Sequence, residues 1–163
     1  MKLRRWSIDA PAGSITFVAT SSVHPIRTNG KASGWFEAAF DDDGFVPTHP
    51  LHGRLDVPLD DLSSGNRLID REMNRRVDTT THPRIVAEIE TTEDTGGNTA
   101  KITGTVRFLD AEVLVEGELN LLPGPRLSGT GEFDVRWWGL EPPRLLMLRV
   151  DPIVTVEIDL PLI

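Results

Sequence analysis

Apolar residues return at every second position through most of this chain, and that period limits its fold more than any other feature. Side chains of an extended strand point alternately to opposite faces, so a period of two marks a strand with one buried face. SITFVAT sets Ile15, Phe17 and Ala19 on one face, and GWFEAAF sets Phe36, Ala38 and Phe40 on one face with Trp35 and Glu37 opposite. LHGRLDVPL aligns Leu51, Gly53, Leu55, Val57 and Leu59, and RIVAEIET aligns Ile85, Ala87 and Ile89. AKITGTVRFL aligns Ile102, Gly104, Val106 and Phe108; EVLVEGELNL aligns Val113, Val115, Gly117 and Leu119. LSGTGEFDVRW aligns Leu127, Gly129, Gly131, Phe133, Val135 and Trp137, and IVTVEIDLPL aligns Val154, Val156, Ile158 and Leu160. Turn formers stand between the runs, as DDDG at 41–44, GGN at 96–98 and PGP at 123–125.

Eight such strands with short connections favour antiparallel pairing, and eight are enough to close a barrel and remove exposed edges. A two-sheet sandwich is the competing architecture. At 163 residues, with 39% hydrophobic and 26% charged residues, the chain reads as one globular domain, 1–163. The fold expected is all-β: an eight-stranded antiparallel barrel with one helical insertion over about residues 62–78.

That insertion breaks the period. Leu68 or Ile69, then Met73, then Val77 fall at helical spacing, and the positions between them are charged, so only a narrow stripe packs inward. Asp61, Ser63 or Ser64 offers a side-chain oxygen to cap its start, and His82-Pro83 ends it. Arg67, Arg71, Arg75 and Arg76 admit two readings. One is a solvated face paired with Asp70 and Glu72. The other is a collar for an anionic headgroup, with Arg67 and Arg71 as candidates.

The chemistry is sparse. A net charge of -8 argues against nucleic acid and against an anionic membrane surface. Cysteine is absent, which removes thiolate chemistry and disulfides, and tyrosine is absent too. There is no GxSxG elbow, no P-loop and no GxGxxG, so no catalytic residue is assigned. His24, His49 and His52 would need folded-back loops to share a metal, and Asp41-Asp42-Asp43 lacks the remaining ligands of a calcium loop, so no metal is expected. The basic start MKLRRW is followed by no apolar signal region, and no run approaches the length of a membrane helix; a soluble, cytoplasmic protein without stable membrane insertion is expected.

Glycines 53, 104, 117, 129 and 131 fall in line with the inward apolar sets. Each is read either as a bend or as wall without a side chain, leaving room for a ligand. Trp137 aligns inward with its strand, which turns Trp138 outward.

The order of segments resembles the YceI-like family of polyisoprenoid-binding, lipocalin-like proteins. The resemblance runs from Trp6-Ser-Ile-Asp9 through Gly34-Trp35-Phe36 and SSGNRLIDREMNRRVDTTTHPRI to ITGTVRF and the closing VDPIVTVEIDLPL. Within the central segment it rests on the Ser-rich turn, Asp70, Met73 and His82-Pro83. Leu109-Asp110-Ala111 departs from the family's hairpin, and Trp138-Gly139-Leu140 stands for its Phe-Gly-Ile-like segment. EPPRLLMLR replaces its usual loop, and Leu145, Leu146, Met147 and Leu148 there suit the cover of a barrel mouth or a partner surface.

The resemblance implies a lipocalin-like barrel with a long apolar interior that binds, carries or stores an isoprenoid or other amphiphilic lipid without catalysis. A bound isoprenoid or quinone would be its only small-molecule companion, and a homodimer its oligomer. Alternation, with Met73 added from the helical stripe, names the lining as Phe17, Phe36, Phe40, Leu55, Val57, Met73, Ile85, Ile89, Val106, Phe108, Val115, Phe133, Val135, Trp137 and Val156. The alternative is an interaction or structural module whose barrel is filled by its own side chains.

Overall fold

The computed structural model describes residues 1–46, 49–94, 97–142, 144–145 and 148–163. Every run that alternates in sequence is a strand. They are β1 (Lys2–Ser7), β2 (Ser14–Ser21), β3 (Ile26–Lys31), β4 (Ser33–Asp41), β5 (Gly44–Phe45) and β6 (His52–Pro58). After the helix α1 (Arg67–Val77) come β7 (Arg84–Asp94), β8 (Thr99–Phe108), β9 (Ala111–Leu122), β10 (Arg126–Asp134), β11 (Arg144–Leu145) and β12 (Leu148–Pro161).

One antiparallel sheet runs β1-β4-β6-β7-β8-β9-β10-β12-β2-β3, with β5 and β11 as short additions. The path therefore holds ten strands rather than the eight expected. The two extra strands are β1 and β3, and their sequences KLRRWS and IRTNGK show why alternation misses them. Both are mostly charged or polar and mostly exposed, with Trp6 and Ile26 as their buried residues.

The sheet curls into a barrel because its ends are tied back to it. Only Ala32 separates β3 from β4, so one stretch of chain passes from pairing with β2 to pairing with β6. Gly34 sits just past this junction at φ 138°, and a Cβ there would lie 1.9 Å from the Arg54 carbonyl oxygen, so no other residue fits. Asn29 of β3 exchanges two 2.9 Å backbone bonds with Ser63 beyond β6. At the other end of the path, Ser7 exchanges backbone bonds of 2.8 and 2.9 Å with Ile163, and Ile8 bridges to Leu162.

The helix is shorter than expected and its cap is a different residue. Asn66 accepts from the backbone N–H groups of Leu68 (3.0 Å) and Ile69 (3.2 Å). Ser63 is engaged with β3, and Ser64 is held by the Asp70 carboxylate through its N–H (2.9 Å) and hydroxyl (2.6 Å). Ile69 and Val77 are buried, with Met73 partly buried between them, while Leu68 faces solvent. The inward stripe is therefore the i, i+4, i+8 set.

The core lies in two parts. The larger centres on Trp6, Phe36, Leu119, Leu121, Leu127 and Leu160. The smaller is Leu59, Val77 and Leu140, on which Met73, Ile85, Phe108, Leu109 and Val135 pack. Leu109 and Asp110 form a two-residue turn with φ of 53° and 61°, so a leucine is held left-handed by its packing against that smaller cluster. The suggestion that Leu145–Leu148 cover the mouth falls largely outside the described residues, since Leu146 and Met147 are not among them.

Candidate functional site

The barrel interior is the site with distinct chemistry. It holds a cavity of about 230 Å³ that opens to solvent and is walled almost wholly by apolar atoms. Its floor is the larger core: Ile15, Phe36, Leu119, Leu127 and Leu160 are all buried and border it. Its walls are Phe17 of β2, Leu55 of β6, Ile89 of β7, Val106 of β8, Phe133 of β10 and Val156 of β12, and these stay only partly buried. An inward apolar side chain that remains partly exposed marks a space its neighbours do not fill.

Glycines border that space on adjacent strands. All five in-line glycines border the cavity. Gly104 is required by close approach, because a Cβ there would meet the Glu88 carbonyl oxygen at 2.7 Å. At Gly129 the place of the missing side chain is taken by Leu119 and Ile158, whose Cδ2 and Cγ1 lie 2.6 and 3.0 Å from where a Cβ would sit. At Gly53, Gly117 and Gly131 too a Cβ would meet a neighbour, at 3.2, 3.3 and 2.8 Å, so close approach and packing account for these glycines rather than bare wall.

At the helix end α1 packs on the outside of the wall. Ile85, Phe108 and Val135 border the cavity on one side and pack on the cluster under the helix on the other. Trp138 completes this end. Its ring is buried, its Nε1 donates to the Val106 carbonyl at 2.9 Å, and it meets Phe133 edge to face at 6.3 Å.

All but three of the lining residues expected from alternation border the cavity. Phe40 instead packs edge to face on Trp6 at 5.0 Å and beside Phe45 at 6.0 Å, on the far side of the floor. Met73 lies behind the wall with the helix cluster. Trp137 is about half exposed, and Trp138 takes the inward place. The reason is local: β10 ends at Asp134, and residues 135–138 coil into a 3-10 turn, so a period of two no longer applies. Ile8, Ile15, Ile102, Leu119, Leu127, Val154, Ile158 and Leu160 also border the cavity. All but Ile8 lie on faces the alternation had marked.

That 3-10 turn is anchored by a buried carboxylate. Asp134 accepts from the Arg136 backbone N–H (2.9 Å) and from its guanidinium (Nη2, 2.7 Å). These bonds, the side-chain one first, hold the Asp134 carboxyl below the usual range against an opposing push from burial.

The arginine collar does not reach the cavity. Arg67 and Arg71 lie on the exposed side of α1, about 200° around the helix from the inward stripe, and neither borders the interior. Glu72 takes Arg75 at 2.7 Å and Arg76 at 2.9 Å, and the hydrogen bond from Arg75 leads in holding its carboxyl low. Among the described residues no helix is long and apolar enough to cross a membrane.

No protein-family model matches the sequence, and no curated protein does. Solved structures do match the fold. The chain is similar to Burkholderia cenocepacia BcnA, at 12% identity and a TM-score of 0.76 over 94% of this chain and 98% of that one. It is similar to a polyisoprenoid binding domain from Saccharophagus degradans implicated in plant cell wall breakdown, at 13% identity and a TM-score of 0.64 over 95% of both. A third is the Campylobacter jejuni YceI protein, at 13% identity and a TM-score of 0.56 over 82% of this chain and 84% of that one.

Proposed function

We propose, starting from a YceI-like fold with an unfilled apolar interior, that this chain binds and carries a long apolar lipid of the isoprenoid type without chemically changing it. The supporting observation is the cavity of about 230 Å³ with walls left partly exposed. An engineered apolar cavity of about 150 Å³ stays dry and takes up benzene, so this one has room for a larger hydrocarbon segment. Each CH₂ removed from water contributes about 0.8 kcal/mol, less the ordering of a flexible tail. Among the described residues no cation borders the interior except Arg54, and that guanidinium is bound to Asp56 (3.0 Å) and Glu88 (3.3 Å). A polar headgroup therefore stays at the opening while the tail enters.

The filled-barrel alternative is less well supported, because side chains fill only the floor. Binding without catalysis accords with an interior nearly free of polar groups. Native mass spectrometry of the full chain, with organic extraction of the same sample, tests the proposal. A stoichiometric lipid, or uptake of added polyprenyl lipid, is expected; empty extracts together with no uptake overturn it. The proposal includes a homodimer and a cytoplasmic location, checked by analytical ultracentrifugation and by fractionation of cells expressing the chain.

A further inference from the structure

A second site lies at the opposite end of the barrel from α1. There β1 pairs with β4 along one edge, and on the other only its end, at Ser7, and the following Ile8 and Asp9 reach residues 161–163. Between the diverging part of β1 and the turn joining β9 to β10 runs a groove. Its floor is Trp6, Phe40, Leu121 and Leu122, and its rim carries Lys2 and Arg4.

Three observations make this groove more than a gap. First, its lining among the described residues holds two cations and no carboxylate, in a chain whose net charge is -8. Neither Lys2 nor Arg4 has an acidic partner among the described residues, and the Arg4 guanidinium lies 5.2 Å over the Trp6 ring instead. Second, the Trp6 Nε1 is buried without an acceptor among the described residues, a state native proteins seldom leave uncompensated. Third, Leu122 remains 42% exposed beside the buried Leu121, so apolar surface continues from the floor to solvent.

We propose that this groove binds a small soluble amphiphilic anion: a short apolar body ending in a carboxylate, sulfate or phosphate. The apolar body lies along Phe40, Leu121 and Leu122, and the anionic end meets Lys2 and Arg4. Alternation along β1 gives this directly, since residues 2, 4 and 6 share a face. The site is independent of the lipid cavity. Trp6 stacks on Phe36 at 6.1 Å, and Phe36 is the floor that separates the two.

The test is an ¹⁵N-resolved NMR titration of the full chain with octanoate, following the indole N–H of Trp6, which Trp6→Phe identifies by its loss. A saturable shift is expected, weakened tenfold or more in Lys2→Gln/Arg4→Gln, whose circular dichroism should match the parent. Octanol, which lacks the charge, and inorganic phosphate, which lacks the apolar body, should each bind at least tenfold more weakly. Absence of a shift overturns the proposal. So does a shift that the double substitution leaves unchanged, or perturbation confined to Val106 and Phe133 in the cavity. Filling the cavity with Val106→Trp should leave the Trp6 response intact, so the two sites fail separately.

Discussion

The two ends of the barrel are built by the same strands and largely the same residue types, yet one is solid and the other hollow. At the solid end, Phe36 and Leu160 are at most 2% exposed, and two additions outside the alternating strands seal it: Trp6 and Ile8 near the N-terminus and Leu162 near the C-terminus. At the hollow end the 3-10 turn inserts Trp138, and the wall residues beside it stay only partly buried. The helix lies over the end and packs through Ile69, Met73 and Val77 against the backs of wall residues. Hydrophobic patterning therefore determines which face is inward, while whether that inside is filled depends on what the connections insert.

The largest expected effect separates the ends directly. Phe36→Ala should lower unfolding stability by about 3–5 kcal/mol, because it opens a void in packed core. Phe133→Ala, on a wall already beside empty space, should lose less than about half of that, since fewer contacts are lost. Urea denaturation of both variants decides, and equal losses would break the distinction. Next in size are insertions. Leu127→Trp in the floor should cost about 1–3 kcal/mol through overpacking. Val106→Trp in the cavity should change stability by less than about 1 kcal/mol and reduce uptake of polyprenyl lipid tenfold or more.

Two further effects probe how the hollow end is held open. Trp138→Phe keeps an aromatic ring but removes the donor to Val106 and some buried volume, at a loss of about 1–3 kcal/mol in stability. Asp134 gives a pH signature. Its folded carboxyl lies below the unfolded value of about 3.9, so its contribution is complete above that value and is lost as pH falls through the folded one. Asp134→Asn should therefore reduce stability at neutral pH and flatten the acid side of the stability profile below about pH 4. An unaltered acid limb would show that the Arg136 pairing does not hold in solution.

Much of this architecture was legible in the sequence, and the gaps have physical causes. Period-two alternation located every strand whose buried face is apolar, and with it most of the cavity wall. It missed β1 and β3, whose stability comes from backbone pairing and a single buried residue each, which no pattern over six residues reveals. It misassigned the tryptophans because one turn of 3-10 helix at 135–138 replaces a strand period with a rotation. Phe40 was correctly read as inward, but inward at the solid end, and position along the barrel axis is not encoded by alternation. The arginines were a plausible collar until the helix stripe set Arg67 and Arg71 on the outside.

The placement of β12 bears on how the protein is made. The last long strand is not at an edge. It lies between β10 and β2, so Val154 pairs with Ala19 near the start of the chain. On the ribosome, β2 has no neighbour on that side until β12, more than a hundred residues later, has been synthesised. At about 5–20 residues per second that wait is on the order of ten seconds. During it, β2 and later β10 present open, apolar-faced edges that invite pairing with other chains. A truncation that removes β12 should therefore yield insoluble nascent protein rather than a smaller barrel, and folding yield in cells should depend on what shields those edges until β12 emerges.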